Sequence, residues 1–427
     1  MNGNEIKPDP MSLPYMRYTR LMLQSVGAWP GDAVAGRALR PRLYAYYLML
    51  ETAVLIAGEL LFILNQFHVL SFFVLGDVYI ALSLSFLVMF RAVLSCFKRY
   101  GTIFRKFITE FHLMHFKHKS EYSNQMYEKV NKISHYFTLF VIGLSVSGVV
   151  SFNVTPLYRN YRLGVFRDEP PENVSAEFSV HYLFPGFRQE DFYLPSTLAN
   201  VFISYVCAFI ICTMDLFLCL MIFQIIGHIK TLIHTLRNFP APKKMKELQG
   251  FRQGSMNKAP IEVEIVKQFD DQENEVIKKI IIECVEHHLF IVSFTDDISN
   301  FFGPMLAFNY LYHMFSFSLL LVECMQGQVA LMRYGPLTMI TLAQLTQLSV
   351  TFEIVGSESE KLKDEVYYIP WESMNKSNQK SVGIFLKRVQ TPIRVTAMGM
   401  TTVGVQTMGG ILKTTFSYCA FLRSLNP

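Results

Sequence analysis

The sequence predicts an all-α membrane protein with seven transmembrane helices, a cytoplasmic N-terminus and an extracellular C-terminus. Long apolar stretches recur along the 427 residues. Only 17% of the residues are charged, whereas a soluble domain carries about 25%. Lys and Arg also cluster in alternate connecting segments. Together these observations predict a chain that repeatedly crosses a bilayer.

A membrane-spanning helix needs about 20 mainly apolar residues, because about 30 Å of hydrocarbon is crossed at about 1.5 Å per residue. Seven stretches meet this requirement, and the first of them contains Glu51 and Glu59. In chain order the predicted spans are Leu43–Gln66, Leu70–Phe90, Tyr136–Val154, Pro195–Ile229, a stretch from near Ser299 to Cys324, Val329–Val355 and Ala397–Leu422.

The placement of positive charge predicts the orientation. Of the 39 Lys and Arg residues, 32 lie in the N-terminal segment and in the connections after the second, fourth and sixth stretches. The loop 154–194 carries only four although it is long. Cytoplasmic segments are enriched in Lys and Arg, so we expect the N-terminus to be cytoplasmic, and seven spans then place the C-terminus outside.

These boundaries divide the chain into six predicted regions. They are a cytoplasmic N-terminal segment (1–42), helices one to four with the extracellular loop (43–230, loop 154–194), a cytoplasmic linker and anchor helix (231–298), helices five and six (299–355), a cytoplasmic anchor segment (356–396), and the seventh helix with its tail (397–427).

Two predicted helices are longer than a membrane requires. The fourth stretch has about 35 residues, or about 50 Å of helix. Upstream of the fifth stretch, apolar residues recur at helical spacing, which predicts an amphipathic helix that continues into the span. We therefore expect a packed cytoplasmic anchor bundle, a kink at Pro304, and a flexible basic linker over Asn238–Pro260. The residues of the stripe are Val276, Ile277, Ile280, Ile281, Cys284, Val285, His288 and Leu289.

No constellation of an enzyme or of a metal site is present in the sequence. It contains no GxSxG, HExxH or P-loop pattern, and His112, His115 and His118 have no carboxylate partner at metal-ligand spacing. The seven cysteines lie mostly in apolar stretches without a CxxC pair, which predicts free thiols. We expect no enzymatic activity, no cofactor, no metal, no nucleic-acid partner and no signal peptide.

Ionisable residues within spans are costly and are candidates for function. Besides the two glutamates of the first stretch, the spans contain Asp77, Asp215, Glu353 and Lys413. Asp77 could face a cavity, or it could be paired or solvated. Asp215 and Glu353 lie towards the cytoplasmic ends of long helices, where we expect contact with water. In the outer loop, Asn173 begins an Asn-Val-Ser glycosylation sequon.

The last span is unusually polar. Its glycines permit close helix packing, and Thr, Gln, Lys, Ser and Tyr side chains follow its whole length. A helix that faces lipid would not carry so many polar groups. Two interpretations remain open: the helix borders a water-filled path, or it packs closely within one subunit with its hydroxyls bonded to its own backbone.

The final third of the chain contains five distinctive segments: Tyr367–Trp371, Gln390–Ile393, Val403–Met408, Ile411–Tyr418 and Phe421–Arg423. Together they resemble the closing pattern of insect odorant receptors, and they are most similar to the moth sex-pheromone branch. The detailed resemblance covers residues 365–425. A gustatory-type receptor channel of related architecture is the alternative, and a G-protein-coupled receptor is opposed by the orientation.

The resemblance implies a ligand-gated, non-selective cation channel of four subunits, in which a tuning subunit assembles with a shared odorant co-receptor. It implies that the cytoplasmic parts of helices four to seven form the anchor. It also implies that the last helix lines the pore, with Ser417, Tyr418 and Phe421 along its narrow outer part. Our hypothesis is that ligand binding moves helices five, six and seven and widens the path near Tyr418.

The family's odorant pocket lies in the outer half of the membrane, among helices two, three, four and six. An apolar, aromatic pocket of this kind suits a volatile hydrophobic molecule, such as a long-chain alcohol, aldehyde or acetate. The residues that this placement suggests as ligand contacts are Phe72, Phe73, Asp77, Val78, Gly143, Ser147, Phe202, Tyr205, Tyr334 and Met339.

Overall fold

The structure, a computed structural model, describes residues 9–35, 43–69, 75–166, 176–243, 245–248, 264–325, 327–399 and 401–425. The described part is mainly helical. Its helices are α1 (Pro14–Ser25), α2 (Gly31–Ala35), α3 (Leu43–Gln66), α4 (Gly76–Cys96), α5 (Lys98–Lys106), α6 (Glu121–Leu163), α7 (Tyr193–Arg237), α8 (Asp271–Cys324), α9 (Gln328–Tyr367), α10 (Lys376–Val389) and α11 (Val405–Leu425). Two antiparallel pairs of short strands accompany them: β1 (Met245–Leu248) with β2 (Glu264–Lys267), and β3 (Thr396–Ala397) with β4 (Thr401–Thr402).

Within the described ranges, five helices are long and apolar enough to cross a membrane: α3, α4, α6, α7 and α8. They correspond to the first five predicted stretches, except that residues 70–74 of the second stretch lie outside the described residues and α4 begins at Gly76. The sixth predicted stretch lies within α9, which continues to Tyr367, and the seventh overlaps α11. Neither α9 nor α11 is among the five described helices that meet this criterion of length and apolar composition.

Several predicted helix boundaries were wrong. The second span was placed at Leu70–Phe90, but α4 runs on to Cys96. Residues 397, 401 and 402, assigned to the seventh span, belong to the paired strands β3 and β4 instead, and α11 begins at Val405. Met245–Leu248, assigned to a flexible linker, pairs with Glu264–Lys267.

The three longest helices extend well beyond a bilayer. They have 43, 45 and 54 residues, so that α8 alone is about 80 Å long. α8 begins with a capping box, in which Asp270 accepts from the Glu273 amide and Glu273 accepts from the Asp270 amide, and such reciprocal bonds stabilise a helix start. It continues without a break through Pro304.

The core is organised around α7. Between residues 204 and 236 this helix is buried on nearly all sides, because apolar residues occupy all of its faces, and α4, α6, α8 and α9 surround it. α3 and α6 instead expose many large apolar side chains, as expected of helices at the lipid boundary. At the far end from the loop 176–192, the start of α8 packs on α10, where the Asn378 amide donates to the Asn274 carbonyl at 2.9 Å.

Candidate ligand pocket

A cavity of about 190 Å³ lies between α3, α4, α6, α7, α8 and α9, at the end of the bundle nearest the loop 176–192. Most of its wall is aliphatic or aromatic, with side chains such as Leu55, Leu84, Phe152, Ile203 and Leu337. Apolar walls with a few placed polar groups are characteristic of small-molecule sites. The site can therefore bind a compact hydrophobic molecule and offer it a small number of hydrogen bonds.

Hydroxyl groups in the wall are largely occupied by their own helices. Thr155 donates to the Ser151 carbonyl at 2.7 Å, Thr341 donates to the Leu337 carbonyl at 2.9 Å, and Ser204 donates to Asn200 at 2.6 Å. A hydroxyl whose proton is used in this way stays compatible with an apolar cavity. These groups add little polarity that a ligand must satisfy.

Asp77 and Tyr334 form a hydrogen bond in the cavity wall. The Tyr334 hydroxyl donates to Asp77 Oδ2 at 2.6 Å and joins the second turn of α9 to the first turn of α4. This length is typical of a hydroxyl that donates to a carboxylate. Both residues were predicted as ligand contacts, and both line the cavity.

Glu59 is the second carboxyl group in the wall, and its environment differs from that of Asp77. Its side chain is fully buried, and neither carboxyl oxygen has a hydrogen-bond partner among the described residues. The Ser85 hydroxyl on α4 lies near this carboxyl group but does not meet the distance and angle of a hydrogen bond. The cavity therefore contains a buried acid with free hydrogen-bonding capacity.

The loop 176–192 covers the cavity beside Glu59. The Leu183 amide donates to the Gly58 carbonyl at 3.0 Å, and Ser179 and Val180 contribute to the wall. A Cβ at position 58 would lie 2.7 Å from the Phe184 ring. Only glycine at this position lets the loop lie directly on α3.

A buried ionic cluster lies next to the cavity. Arg91 on α4 is fully buried, with Nη1 at 2.9 Å from Asp215 Oδ1 and Nη2 at 2.9 Å from Asn309 Oδ1. Nη1 also donates to the carbonyl of Ile211 at 2.7 Å, and Ile211 lines the cavity. The expectation that Asp215 is in water was wrong, because α4, α7 and α8 enclose it.

Other predicted ligand residues lie away from this cavity. Val78 is buried behind the wall, and Tyr205 is partly buried with its ring 4.5 Å from that of Phe209. The remaining described residues of the prediction share an exposed position on helix surfaces: Gly143, Ser147, Phe202 and Met339. Phe72, Phe73 and the predicted glycosylation site Asn173 lie outside the described residues. As ligand contacts and as a modification site, all remain predictions.

Sequence reasoning missed several residues of the wall. Tyr312 and Leu320 come from α8, which was not assigned to the pocket, and Pro156 and Gln344 come from α6 and α9. Glu59 was noted as an acid in an apolar span but was not placed in the pocket. Its charge within a stretch that otherwise suits lipid was the available signal.

The three predicted pore residues lie on one uncovered side of α11. Tyr418 and Phe421 are more than half exposed, and Ser417 donates to the Lys413 carbonyl at 3.0 Å. On the opposite side, Ile411, Thr415 and Cys419 are buried, and α11 packs on α8 and α9. Among the described residues, none covers the polar and aromatic face of the last helix that is formed by Ser417, Tyr418 and Phe421.

Glu353 links α9 to the start of α11. Its Oε2 accepts from the Val405 amide at 3.1 Å, and a Cβ on Gly404 would collide with this same oxygen. A carboxylate at a helix N-terminus satisfies free amides and complements the helix dipole. The expectation of solvent contact for Glu353 agrees with its exposed side chain, which in addition caps the last helix.

A histidine cluster lies at the end of the bundle away from the loop 176–192. His112 Nε2 is 2.7 Å from the Tyr15 hydroxyl, and His287 Nε2 is 3.0 Å from His228 Nδ1. Burial, with a smaller contribution from the charge of His115, lowers the pKa of His112 to about 3. Burial, with the charges of Lys119 and His288, lowers the pKa of His287 to about 4. Both rings are therefore neutral at physiological pH, and the described residues contain no three-ligand metal cluster.

Comparisons with known proteins place this geometry in a family. The model of the family described as 7tm Odorant receptor matches residues 71–416, which is most of the chain. A search of curated proteins found no match. The fold is similar to two solved structures of the insect olfactory receptor OR5 from Machilis hrabei: the receptor itself, with a TM-score of 0.72 at 11% identity, and its complex with eugenol, with 0.70 at 12%. Each comparison covers 96% of this chain and 98% of the other. The chain is a multi-pass membrane protein that belongs to the 7tm odorant receptor family.

Proposed function

We propose that this chain is the ligand-binding tuning subunit of a heteromeric, ligand-gated, non-selective cation channel that it forms with an odorant co-receptor. The observation that carries the proposal is the apolar cavity of about 190 Å³ with two carboxyl groups in its wall. A membrane receptor needs such a space if it is to recognise a hydrophobic molecule by shape and by a few hydrogen bonds.

The proposed ligand is a volatile hydrophobic molecule, and the resemblance of the closing segments to moth receptors favours a sex pheromone of the alcohol, aldehyde or acetate type. An engineered cavity of about 150 Å³ accommodates benzene. A long hydrocarbon chain exceeds the volume of the cavity in this state, so its binding requires the walls to move apart. A ligand-gated channel needs a movement of this kind to couple ligand binding to opening.

The proposed topology has seven spans, with the N-terminus in the cytoplasm, the loop 154–194 outside, and the regional division given by the charge pattern. Concentration of Lys and Arg on one side supports it. An epitope at residue 1 should be reached by antibody only after permeabilisation. Asn173→Gln should remove a glycan and increase the mobility of the protein on a gel. Labelling of residue 1 on intact cells would contradict this orientation.

We propose that the uncovered face of α11 meets the corresponding helices of three further subunits and borders the pore. A ligand shifts the equilibrium only if it binds the open state more tightly than the closed one. The cavity wall includes residues of α8 and α9, and both helices pack on α11, which provides a direct route from site to pore. The expected location is the plasma membrane of olfactory sensory neurons, in their dendrites.

The test is expression in oocytes with and without the co-receptor, against alcohols, aldehydes and acetates of short and long chain. We expect ligand-evoked current only when the co-receptor is present. Leu337→Trp, which fills the cavity wall, should abolish the response. Met332→Trp, at an exposed position five residues earlier on α9 that is not part of the cavity wall, should preserve it and serves as the matched control.

Two outcomes would contradict the proposal. Current without the co-receptor would overturn the assignment as a tuning subunit. Equal responses of the two tryptophan variants, with both proteins shown at the cell surface, would show that the cavity is not the ligand site.

A further inference from the structure

Among the described residues that form the wall of the cavity, Glu59 carries a polar group for which the protein provides no hydrogen-bond partner. Glu59 is fully buried in α3, both of its carboxyl oxygens lie within the protein, and neither has a hydrogen-bond partner among the described residues. Asp77, the other carboxyl group in the wall, accepts from Tyr334 at 2.6 Å. The two acids are therefore not equivalent towards a ligand.

An unsatisfied buried carboxyl group is expensive, because it has lost its hydration and gained no partner. The hydroxyls of Thr155, Ser204 and Thr341 cannot compensate, since each donates its proton to a backbone carbonyl of its own helix. A molecule in the cavity that brings a hydrogen-bond donor to Glu59 supplies the partner that the described protein residues do not provide.

The loop 176–192 packs on α3 directly beside Glu59. Gly58 packs against Phe184 and Tyr182 of the loop 176–192, and its carbonyl oxygen accepts a hydrogen bond from the Leu183 amide. The loop is thus fixed one residue away from the acid. Leu55, one turn earlier on α3, extends the apolar wall beside it.

We propose that Glu59 binds the head group of the ligand and that the cavity selects hydroxyl-bearing hydrocarbons, such as primary alcohols, over acetate esters and aldehydes of the same chain length. A hydroxyl group both donates and accepts. It donates to a carboxylate, or it donates to the carbonyl oxygen of a neutral acid while accepting the acid proton. An ester or aldehyde only accepts, so it leaves at least one oxygen of Glu59 unsatisfied. This inference names the ligand class of the proposed function and rests on it.

The test compares an alcohol with its acetate ester and its aldehyde on wild type, Glu59→Leu and Glu59→Gln, expressed with the co-receptor. Leucine removes the acid and suits an apolar site. Wild type should respond to the alcohol at a concentration at least about tenfold lower than to the acetate, the range expected for a hydrogen bond to a charged or polarised group. Glu59→Leu should lose this preference by weakening the alcohol response alone. Glu59→Gln, which retains a carbonyl acceptor, should keep part of it.

Glu51→Leu is the matched control. Glu51 lies two turns earlier on α3 and also has a carboxyl oxygen without a partner among the described residues, but it is not part of the cavity wall. This variant should keep the wild-type preference for the alcohol. Surface labelling of every variant shows whether a lost response reflects lost protein.

A binding measurement separates this inference from the channel assignment. The melting temperature of the purified chain in detergent, with alcohol or acetate, reports occupancy of the cavity without any current. If the alcohol raises the melting temperature more than the acetate does, and only when Glu59 is present, the head-group site is supported. If the same protein gives no current in oocytes, the channel function is overturned. Currents with equal sensitivity to alcohol and acetate in wild type and Glu59→Leu would overturn the head-group site and leave the channel function standing.

Discussion

Tyr334 and Asp77 join α9 to α4 across the wall of the ligand cavity through a hydrogen bond of 2.6 Å. Tyr334→Phe keeps the ring and removes this bond, which leaves Asp77 without that donor. We expect the free energy of unfolding to fall by about 1–3 kcal/mol, measured as a lower melting temperature in detergent. Tyr205→Phe is the control, because the Tyr205 ring packs on Phe209 and should tolerate the loss of its hydroxyl. Equal melting temperatures of the two variants would show that this hydrogen bond does not stabilise the fold.

Because Arg91 and Asp215 form a buried ion pair, we expect removal of one partner to destabilise the fold severely. Arg91→Met leaves Asp215 buried and unpaired, which costs about 3–5 kcal/mol, so we expect loss of surface expression. Replacement of both residues, as Arg91→Met with Asp215→Leu, should restore part of the expression, since an apolar pair of similar volume needs no charge compensation. Arg99→Met, at an exposed position, should have no effect. Failure of the double variant to improve on the single one would count against this explanation.

Because Glu353 contacts the start of α11, we expect substitution of Gly404 to change both the stability of the protein and the activation of the channel. Gly404→Ala places a methyl group against Glu353 Oε2 and should displace the carboxylate from the Val405 amide. Loss of such a cap costs about 1–2 kcal/mol, and the concentration for half-maximal current should change because α9 and α11 are no longer joined there. Gly409→Ala is the control, since no described atom lies within 4 Å of its added Cβ. Identical dose–response curves for the two alanine variants would contradict the prediction.

The histidine cluster predicts loss of stability in acid. The folded chain lowers the pKa of His112 to about 3 and of His287 to about 4, whereas the unfolded chain binds these protons near pH 6.5. The stability is present above about pH 6.5 and falls as the pH falls towards the folded values, by up to about 1.4 kcal/mol per pH unit for each ring. His112→Asn should show a shallower decline in melting temperature between about pH 7.5 and pH 5 than wild type. His118→Asn, at an exposed position, should retain the wild-type slope.

We expect substitution of Tyr418 to affect ion permeation rather than folding. The residue is 53% exposed on the uncovered face of α11, so Tyr418→Ala should leave surface expression unchanged and alter the free energy of unfolding by no more than about 0.5 kcal/mol. With the co-receptor present, we expect a changed activation threshold, permeation or block. If all three are unchanged while the protein reaches the surface, Tyr418 does not lie at the gate.

The long helices could be predicted because their signal is local. An apolar run such as Leu43–Gln66 can be recognised as a helix without information on its contacts in the fold. α3 has the bounds that its composition suggests. The end of α4 could not be predicted in the same way. Arg91 resembles the first residue of a cytoplasmic loop, and its partners Asp215 and Asn309 are 124 and 218 residues away in the chain.

The cavity could be predicted only in part. Helix assignment and depth led to Asp77 and Tyr334, which line it, but also to Met339 and Ser147, which face outwards. Rotation of a membrane helix about its axis is weakly encoded, because lipid and protein interior are both apolar and the hydrophobic pattern does not distinguish them. Pocket residues therefore depend on packing between distant helices, which composition does not reveal.

α8 connects two distant regions as one uninterrupted rod. Leu320, near one end, belongs to the cavity wall, and Asn274, near the other, bonds to Asn378 of α10. The two positions are about 70 Å apart along a helix of standard rise. A tilt of about five degrees at one end therefore sweeps the other end through about 6 Å. Leverage of this kind would turn a displacement of atomic size at the cavity into one as large as a side chain.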